Sequence, residues 1–171
     1  QEVQAGAEVV FTDISEGQAA SWSWVFEGGI PETSNLSGPT VKYDKPGTYA
    51  VTLILKNGKQ ESIGKKESFI TVGYNDVDPD FEASMVSALQ DETIKFTDKS
   101  TGLPESWSWE FKSKDGVTVL TATEQNPEVK FTVPGIYTVK LVATNPKSTK
   151  EVVKTDYINI IDKFSVIADF E

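Results

Sequence analysis

Four tryptophans, in two identical Trp-Ser-Trp triplets, are the side chains of this sequence best suited to binding a ligand. Trp22 and Trp24 form the first triplet, and Trp107 and Trp109 form the second. Exposed aromatic rings can stack on sugar rings, whereas buried ones supply much of the core of a small domain. In each triplet the second tryptophan is followed two residues later by a phenylalanine, and residues spaced by two share one face of a strand. We therefore expect Trp24 and Trp109 in a core, and retain Trp22 and Trp107 as candidate ligand-binding residues, with packing at the core rim as the favoured alternative.

Three alternating aspartates between the triplets form a second candidate site. Asp76, Asp78 and Asp80 lie in a segment with the turn-forming residues Asn75 and Pro79. An extended chain places these carboxylates on one side, spread over roughly 13 Å. Calcium takes about six to eight oxygen ligands, so other groups would have to complete the site. Calcium binding at this domain junction is one hypothesis, a solvated linker is the favoured alternative, and no other cofactor is implied.

Two further aspartates occupy equivalent places in an Asp-x-Ser-x-Gly pattern. Asp13 and Asp98 each precede a serine by two residues. Their carboxylates could bind calcium, but aspartate in such a turn commonly accepts a hydrogen bond from the backbone two residues later. We expect both side chains to cap their own turns.

The composition argues against catalysis and against anionic partners. The 171 residues contain no histidine, cysteine or arginine, so all sixteen basic residues are lysine. The commonest general base, the thiol nucleophile and the bidentate phosphate ligand are therefore missing. The formal net charge of −10 repels nucleic acid, and no apolar run has the length of a membrane span. We expect a protein that is not an enzyme, does not bind nucleic acid and does not insert into a membrane.

The tryptophan triplets belong to a long internal repeat. The first part of the match holds at an offset of 85 residues and the second part at 88, so the second copy carries three extra residues between Phe111 and Val129. A repeat of this length is a small domain rather than a solenoid unit. The matching segments are Phe11-Thr12-Asp13 with Phe96-Thr97-Asp98, Trp22 to Phe26 with Trp107 to Phe111, and Tyr43 to Leu53 with Phe131 to Leu141.

Each copy has the pattern of an all-β domain. Short runs of alternating apolar and polar residues are separated by Gly, Pro, Asn and Asp, as in strands joined by turns. Pro46-Gly47 and Pro134-Gly135 fit the central positions of a type II turn. The sequence predicts two tandem β-sandwiches, with domains at residues 1–74 and 75–161 and the start of a following repeat or a linker at 162–171.

The quoted segments resemble the PKD domain, the immunoglobulin-like module named after the polycystic kidney disease protein. The hallmarks of that family include Phe-x-Asp-x-Ser-x-Gly and Tyr-x-x-Pro-Gly-x-Tyr-x-Val-x-Leu, which are matched here in order and spacing by both copies, with Phe131 in the first Tyr position of the second. A third hallmark, Trp-Asp-Phe-Gly-Asp-Gly, keeps its aromatic residues but neither aspartate. With its extra upstream tryptophan, this segment is similar to the corresponding segment in PKD modules of secreted and surface proteins of Bacteroidetes-type bacteria.

The resemblance implies a non-catalytic extracellular or cell-surface module that acts as a spacer and contacts neighbouring domains of a larger protein. A lipoprotein anchor is one form of attachment that it implies. The alternative is a carbohydrate- or protein-binding module. Its contact surface to a polysaccharide or a protein would include Trp22, Trp107 or an inserted loop at Lys112 to Gln125.

The two ends of the chain complement each other in sequence. Gln1 aligns with Val86, so the first copy lacks a counterpart of Asp80 to Met85, while the terminal Asp169-Phe170-Glu171 repeats Asp80-Phe81-Glu82. We expect a fragment of a longer protein. The strand at Lys163 to Glu171 could pair with the open edge of the first copy in a neighbouring molecule.

Overall fold

The computed structural model describes residues 1–164, which contain fifteen β-strands and no helix. The chain divides into two compact units between Asn75 and Asp76. Each unit consists of a larger and a smaller sheet, so the all-β prediction is confirmed. Within residues 1–164 no helical segment has the length and apolar character required to cross a bilayer.

Unit 1 has a five-stranded sheet and a two-stranded sheet. The larger sheet has the order β1-β7-β6-β3-β4 and the smaller one pairs β2 with β5. Strand β1 runs parallel to β7, and the other pairings are antiparallel. The strands are β1 Glu2–Gln4, β2 Ala7–Val10, β3 Ser21–Phe26, β4 Thr33–Ser34, β5 Thr40–Tyr43, β6 Gly47–Asn57 and β7 Gln60–Gly73.

Unit 2 repeats this topology with one additional strand. Its larger sheet has the order β12-β11-β14-β15-β9, and its smaller sheet has three strands in the order β13-β10-β8. Strand β8 has no counterpart in the two-stranded sheet of unit 1. The strands are β8 Phe81–Ala83, β9 Ser87–Leu89, β10 Thr93–Asp98, β11 Ser106–Ser113, β12 Thr118–Ala122, β13 Glu128–Lys130, β14 Gly135–Thr144 and β15 Thr149–Ile161.

The aromatic residues of the repeat form the centre of each core. Trp24 is 5% exposed and its ring stacks at 5.7 Å on that of Phe26, while in unit 2 Trp109 is fully buried and stacks at 6.4 Å on Phe111. Spacing by two on β3 and β11 places these rings on the face that meets the smaller sheet. The expectation that Trp24 and Trp109 are core residues is confirmed.

The Pro-Gly-x-Tyr segments form a corner in each unit. The Tyr49 hydroxyl donates to the carbonyl of Lys45 at 2.9 Å, and the Tyr137 hydroxyl donates to the carbonyl of Val133 at 2.7 Å. This arrangement, a tyrosine bonded to backbone four residues upstream, is the tyrosine corner of immunoglobulin-like sandwiches. Gly47 has a φ of 156°, well away from the value of about 80° that a type II turn requires. Gly135 has a φ of 148°, so the type II assignment is wrong for both turns.

The segment predicted as an inserted loop, Lys112 to Gln125, is largely a β-hairpin. Strand β11 continues to Ser113, and β12 then returns from Thr118 to Ala122. The Gly116 amide donates to the Ser113 carbonyl at 2.8 Å, which closes the turn. The three extra residues thus lengthen a hairpin because their alternating Thr and Val residues continue the pairing of the sheet.

The predicted solvated linker is anchored on unit 2. Val77 is fully buried, and its amide donates to the Ser148 hydroxyl at 2.8 Å. Asp78 forms a two-way backbone bridge with Thr101, with N–H to O distances of 3.1 and 3.0 Å. The three aspartates of the segment are exposed to solvent, as expected for a solvated linker, whereas the apolar Val77 between them reaches the core of unit 2. The predicted strand at Lys163 to Glu171 falls mostly outside the described residues.

Candidate functional site

The two candidate ligand-binding tryptophans are held by the aspartates of the Asp-x-Ser-x-Gly turns. The Trp22 indole Nε1 donates to Asp13 Oδ2 at 2.8 Å, and the Trp107 Nε1 donates to Asp98 Oδ2 at the same distance. Both tryptophans are half-buried and pack against the core of their unit. Their rings therefore lie at the core rim, with the polar edge already bonded within the protein.

The second oxygen of each aspartate caps its own turn. Asp13 Oδ1 accepts the Ser15 amide at 2.9 Å, and Asp98 Oδ1 accepts the Ser100 amide at 3.0 Å. Hydrogen bonds from Ser15, followed by that from Trp22, hold the pKa of Asp13 below its usual value because they favour the ionised carboxylate. The expected turn caps are confirmed, and each aspartate joins the turn to a tryptophan nine residues later.

We call each of these bonded pairs, Asp13 with Trp22 and Asp98 with Trp107, a clamp. The repeated sequence contained a signal for it that the sequence analysis did not use. Aspartate precedes tryptophan by nine residues in both copies, and the pairing recurs at identical distances. Ligand binding by Trp22 and Trp107 stays a prediction.

The three candidate calcium ligands are not gathered around one point. Asp76 forms ion pairs with Lys147 at 3.0 Å and Lys150 at 3.5 Å, whereas Asp80 pairs with Lys154 at 2.8 Å. The bond from Lys147 is the main cause of the lowered pKa of Asp76, and that from Lys154 plays the same part for Asp80. A cation at either carboxylate would compete with a lysine for the same negative charge.

Asp78 takes part through its backbone, in the bridge to Thr101. Across residues 1–164, no three acidic, histidine or cysteine side chains stand close enough together to hold a metal ion. Calcium binding at Asp76, Asp78 and Asp80 stays a prediction.

One feature that sequence reasoning did not locate is a groove in unit 1, which we call the edge groove. It has a volume of about 370 Å³ and runs along the outer edge of the smaller sheet, next to Val10 at the end of β2 and the following residues 11–15. Its floor is aromatic and its far wall is basic. The aromatic, apolar and basic residues that line the groove include Phe11, Ile14, Trp24, Lys65, Lys66 and Phe69.

The edge groove lies where unit 2 has its additional strand. In unit 2, β8 pairs antiparallel with β10 and buries Phe81 to 1% exposure. In unit 1 the equivalent sheet has two strands. The repeat offsets of 85 and 88 residues identify the groove residues as counterparts of those around Phe81, and this was the signal available in the sequence.

The comparisons with known proteins agree with the repeat. A family model described as PKD domain matches residues 1–64, and another PKD domain model matches residues 78–160. The chain belongs to the PKD domain family. Its two PKD domains stand in tandem, as the hallmark segments predicted.

Solved structures similar to this PKD chain are immunoglobulin-domain proteins. The N-terminal four Ig domains of Dscam1 isoform 6.9 match with a TM-score of 0.54 at 12% identity, over 95% of this chain and 43% of that one. An amphioxus IgVJ-C2 molecule matches with a TM-score of 0.46 at 13% identity, over 92% of this chain and 100% of that one. At such identities the likeness concerns the fold. No curated protein matches the chain.

Proposed function

We propose that the tandem PKD domains are a non-catalytic extracellular module that spaces and contacts neighbouring domains of a larger surface or secreted protein. Membership of the PKD family supports this proposal, as do the two immunoglobulin-like sandwiches. The observation that carries it is the duplicated clamp. Features that occur at identical geometry in both copies, such as the Trp22–Asp13 and Trp107–Asp98 bonds, serve the fold that the copies share.

A cell-surface location on a Bacteroidetes-type bacterium, with attachment as a lipoprotein, belongs to the same proposal. It rests on the resemblance of the tryptophan-containing segments at Trp22 to Phe26 and Trp107 to Phe111.

The alternative function, carbohydrate or protein binding through Trp22 and Trp107, makes a different use of the same residues. A sugar would stack on the faces of these rings, because their Nε1 atoms already donate to Asp13 and Asp98. A protein partner would use the same exposed ring faces.

Two measurements separate these functions. One is the tryptophan fluorescence of the chain with soluble oligosaccharides, and the other is its retention on insoluble glycans in a pull-down. For a spacer we expect no retention on a panel of cellulose, chitin, mannan and peptidoglycan, and no spectral shift with their soluble oligomers. Trp107→Phe serves as a matched variant, because it keeps an aromatic ring but removes the indole. Retention that Trp107→Phe or Trp22→Phe abolishes would replace the spacer proposal with the binding one.

A further inference from the structure

We propose that the outer strand β12 of unit 2 is a self-association edge, at which two copies of this chain pair antiparallel about a twofold axis. The edge consists of Thr118 to Ala122, and we call it the β12 edge. Pairing there joins the five-stranded sheets of the two copies into one continuous sheet. The inference goes beyond the spacer function, since a spacer that stays monomeric keeps that function.

The β12 edge is longer than the other sheet edges of unit 2. In the part of this unit that the structure describes, β12 has five residues, whereas the other three outer strands, β8, β9 and β13, have three each. One side of β12 pairs with β11, and the sheet order ends on its other side. Because alternate residues of an edge strand direct their N–H and C=O groups away from the sheet, this side can accept a further strand.

The side chains of the β12 edge lack the features that protect an edge from pairing. Thr118 to Ala122 contain neither a charge nor a proline, and three of the five residues are Thr or Val, which favour strands. Val119 is 44% exposed and Leu120 is 36% exposed. Proteins commonly protect sheet edges with lysine, with proline or with very short strands. The β12 edge is therefore open to pairing by its composition as well as by its position.

The same edge of unit 1 is protected, and the difference comes from the inserted residues. The counterpart of β12 is β4, which has only two residues and pairs with β3 in the way that Thr121 and Ala122 pair with β11. Pro31 stands two residues before β4. The insertion thus provides unit 2 with a longer, uncharged edge where unit 1 has a short one next to proline.

The charges that flank the β12 edge favour a second copy as its partner. Lys114, in the turn before β12, and Glu124, after its end, are both exposed. Each lies five residues from Val119, so an antiparallel pairing centred on Val119 places Lys114 of each copy opposite Glu124 of the other. In this register Asp115 lies opposite the uncharged Thr123, so no like charges face each other. The twofold axis makes each contact twice and closes the assembly at the dimer.

The test measures self-association of the chain by sedimentation velocity from about 10 µM to about 1 mM, a range that spans weak dissociation constants. We expect a monomer–dimer equilibrium with no larger species. Val119→Lys puts two like charges at the twofold axis and should weaken dimerisation by about tenfold or more. Val25→Lys is the matched control, because Val25 is also 44% exposed but lies on the interior strand β3 of unit 1. This variant should dimerise as the parent does.

A charge exchange keeps the test independent of folding defects. Lys114→Glu and Glu124→Lys should each weaken dimerisation by about threefold or more, because each places like charges opposite one another. The double variant restores two unlike pairs with their signs exchanged, so it should dimerise nearly as the parent does. A folding defect in either single variant would not be repaired by combining the two.

Hydrogen exchange locates the contact within the chain. The amides of Thr118 to Ala122 should exchange more slowly at the high end of the concentration range than at the low end, because pairing protects them. The amides of β4 in unit 1 should exchange at the same rate at both ends. A synthetic peptide of residues 117–123, added to the dilute chain, should protect the same amides as dimerisation does.

Four results would overturn the proposal. A parent chain that stays monomeric would exclude a second copy, and peptide binding to that monomer would assign the edge to a strand of another protein. Species that grow beyond the dimer would indicate an open, head-to-tail contact. Association unchanged in Val119→Lys, or protection confined to other strands, would place the contact on another surface. A double charge variant that fails to recover dimerisation would exclude the pairing centred on Val119.

Discussion

At the residue scale, the two copies differ most informatively at Tyr43, whose counterpart is Phe131. Tyr43 is fully buried, and among the described residues its hydroxyl has no hydrogen-bond partner. An unsatisfied buried hydroxyl costs about 1–3 kcal/mol. Tyr43→Phe should therefore raise the free energy of unfolding of unit 1 by about 1 kcal/mol in urea titrations. Phe131→Tyr is the reciprocal control, and a destabilised Tyr43→Phe variant would contradict the argument.

The same residue predicts an alkaline limit. Burial, with a smaller contribution from Tyr49, raises the pKa of Tyr43 to about 12. The unfolded chain ionises near pH 10, so stability present below that pH is lost as the pH rises toward the folded pKa. We expect melting temperatures of the parent chain to fall between about pH 10 and about pH 12, and to fall less in Tyr43→Phe. Equal losses in both proteins would show that Tyr43 is not responsible.

The clamp aspartates give a second prediction for single residues. Asp98→Ala leaves the Trp107 indole without its acceptor and removes the cap on Ser100, so we expect a loss of about 1–3 kcal/mol in urea unfolding. The tryptophan emission of the folded protein should also shift to the red as Trp107 loosens. Glu128→Ala, at an exposed strand position, is the control and should stay within about 0.5 kcal/mol of the parent.

At the element scale, the strand β8 and the acidic segment before it depend on lysines of β15. Lys154 pairs with Asp80, donates to the Phe81 carbonyl and lies above the rings of Phe81 and Tyr157. Lys154→Met keeps the apolar stem but removes these polar contacts, and should cost about 1 kcal/mol. Lys112→Met, at an ion pair on β11, is the control. Equal stability of the two variants would contradict the assigned role.

These lysine pairs also predict the response to calcium. Because Asp76 and Asp80 already pair with lysines, millimolar calcium or a chelator should leave the melting temperature of unit 2 unchanged. The pKa values of Asp76 and Asp80 are lowered in the folded chain, so their ion pairs with lysine stabilise unit 2 above about pH 4. This stabilisation is lost as the pH falls through the pKa values of the folded state. A rise in melting temperature with calcium that Asp78→Asn abolishes would instead support the calcium hypothesis.

How far the sequence predicts each element depends on whether its pattern is local. Alternation at Trp22 to Phe26 specifies a strand and its buried face, because strand periodicity acts residue by residue. The tyrosine corner, the anchoring of Val77 and the lysine above Phe81 each join residues that lie apart in the chain or need a particular backbone geometry. The duplication could have indicated the tyrosine corner and the lysine, since both copies keep tyrosine after Pro-Gly and lysine three residues before Phe69 or Tyr157. Val77 has no counterpart in the first copy, so its anchoring had no such signal.

At the scale of the whole molecule, the two units should differ in stability. Among residues 1–164 the core of unit 2 contains thirteen buried residues and that of unit 1 nine, and the smaller sheet has three strands in unit 2 against two in unit 1. More buried apolar surface gives a larger free energy of unfolding. We therefore expect calorimetry of the full chain to show two transitions, with unit 1 unfolding first.

Substitutions in each core assign these two transitions. Ile158 is fully buried in unit 2. Ile158→Ala should reduce the free energy of unfolding of unit 2 by about 2–5 kcal/mol and so lower the temperature of the upper transition. Tyr43→Phe should raise the lower transition alone, because it relieves a buried hydroxyl in unit 1. If Ile158→Ala lowered the first transition instead, the larger core would not be the more stable one, and the open edge of unit 1 would have to be offset by packing elsewhere in that unit.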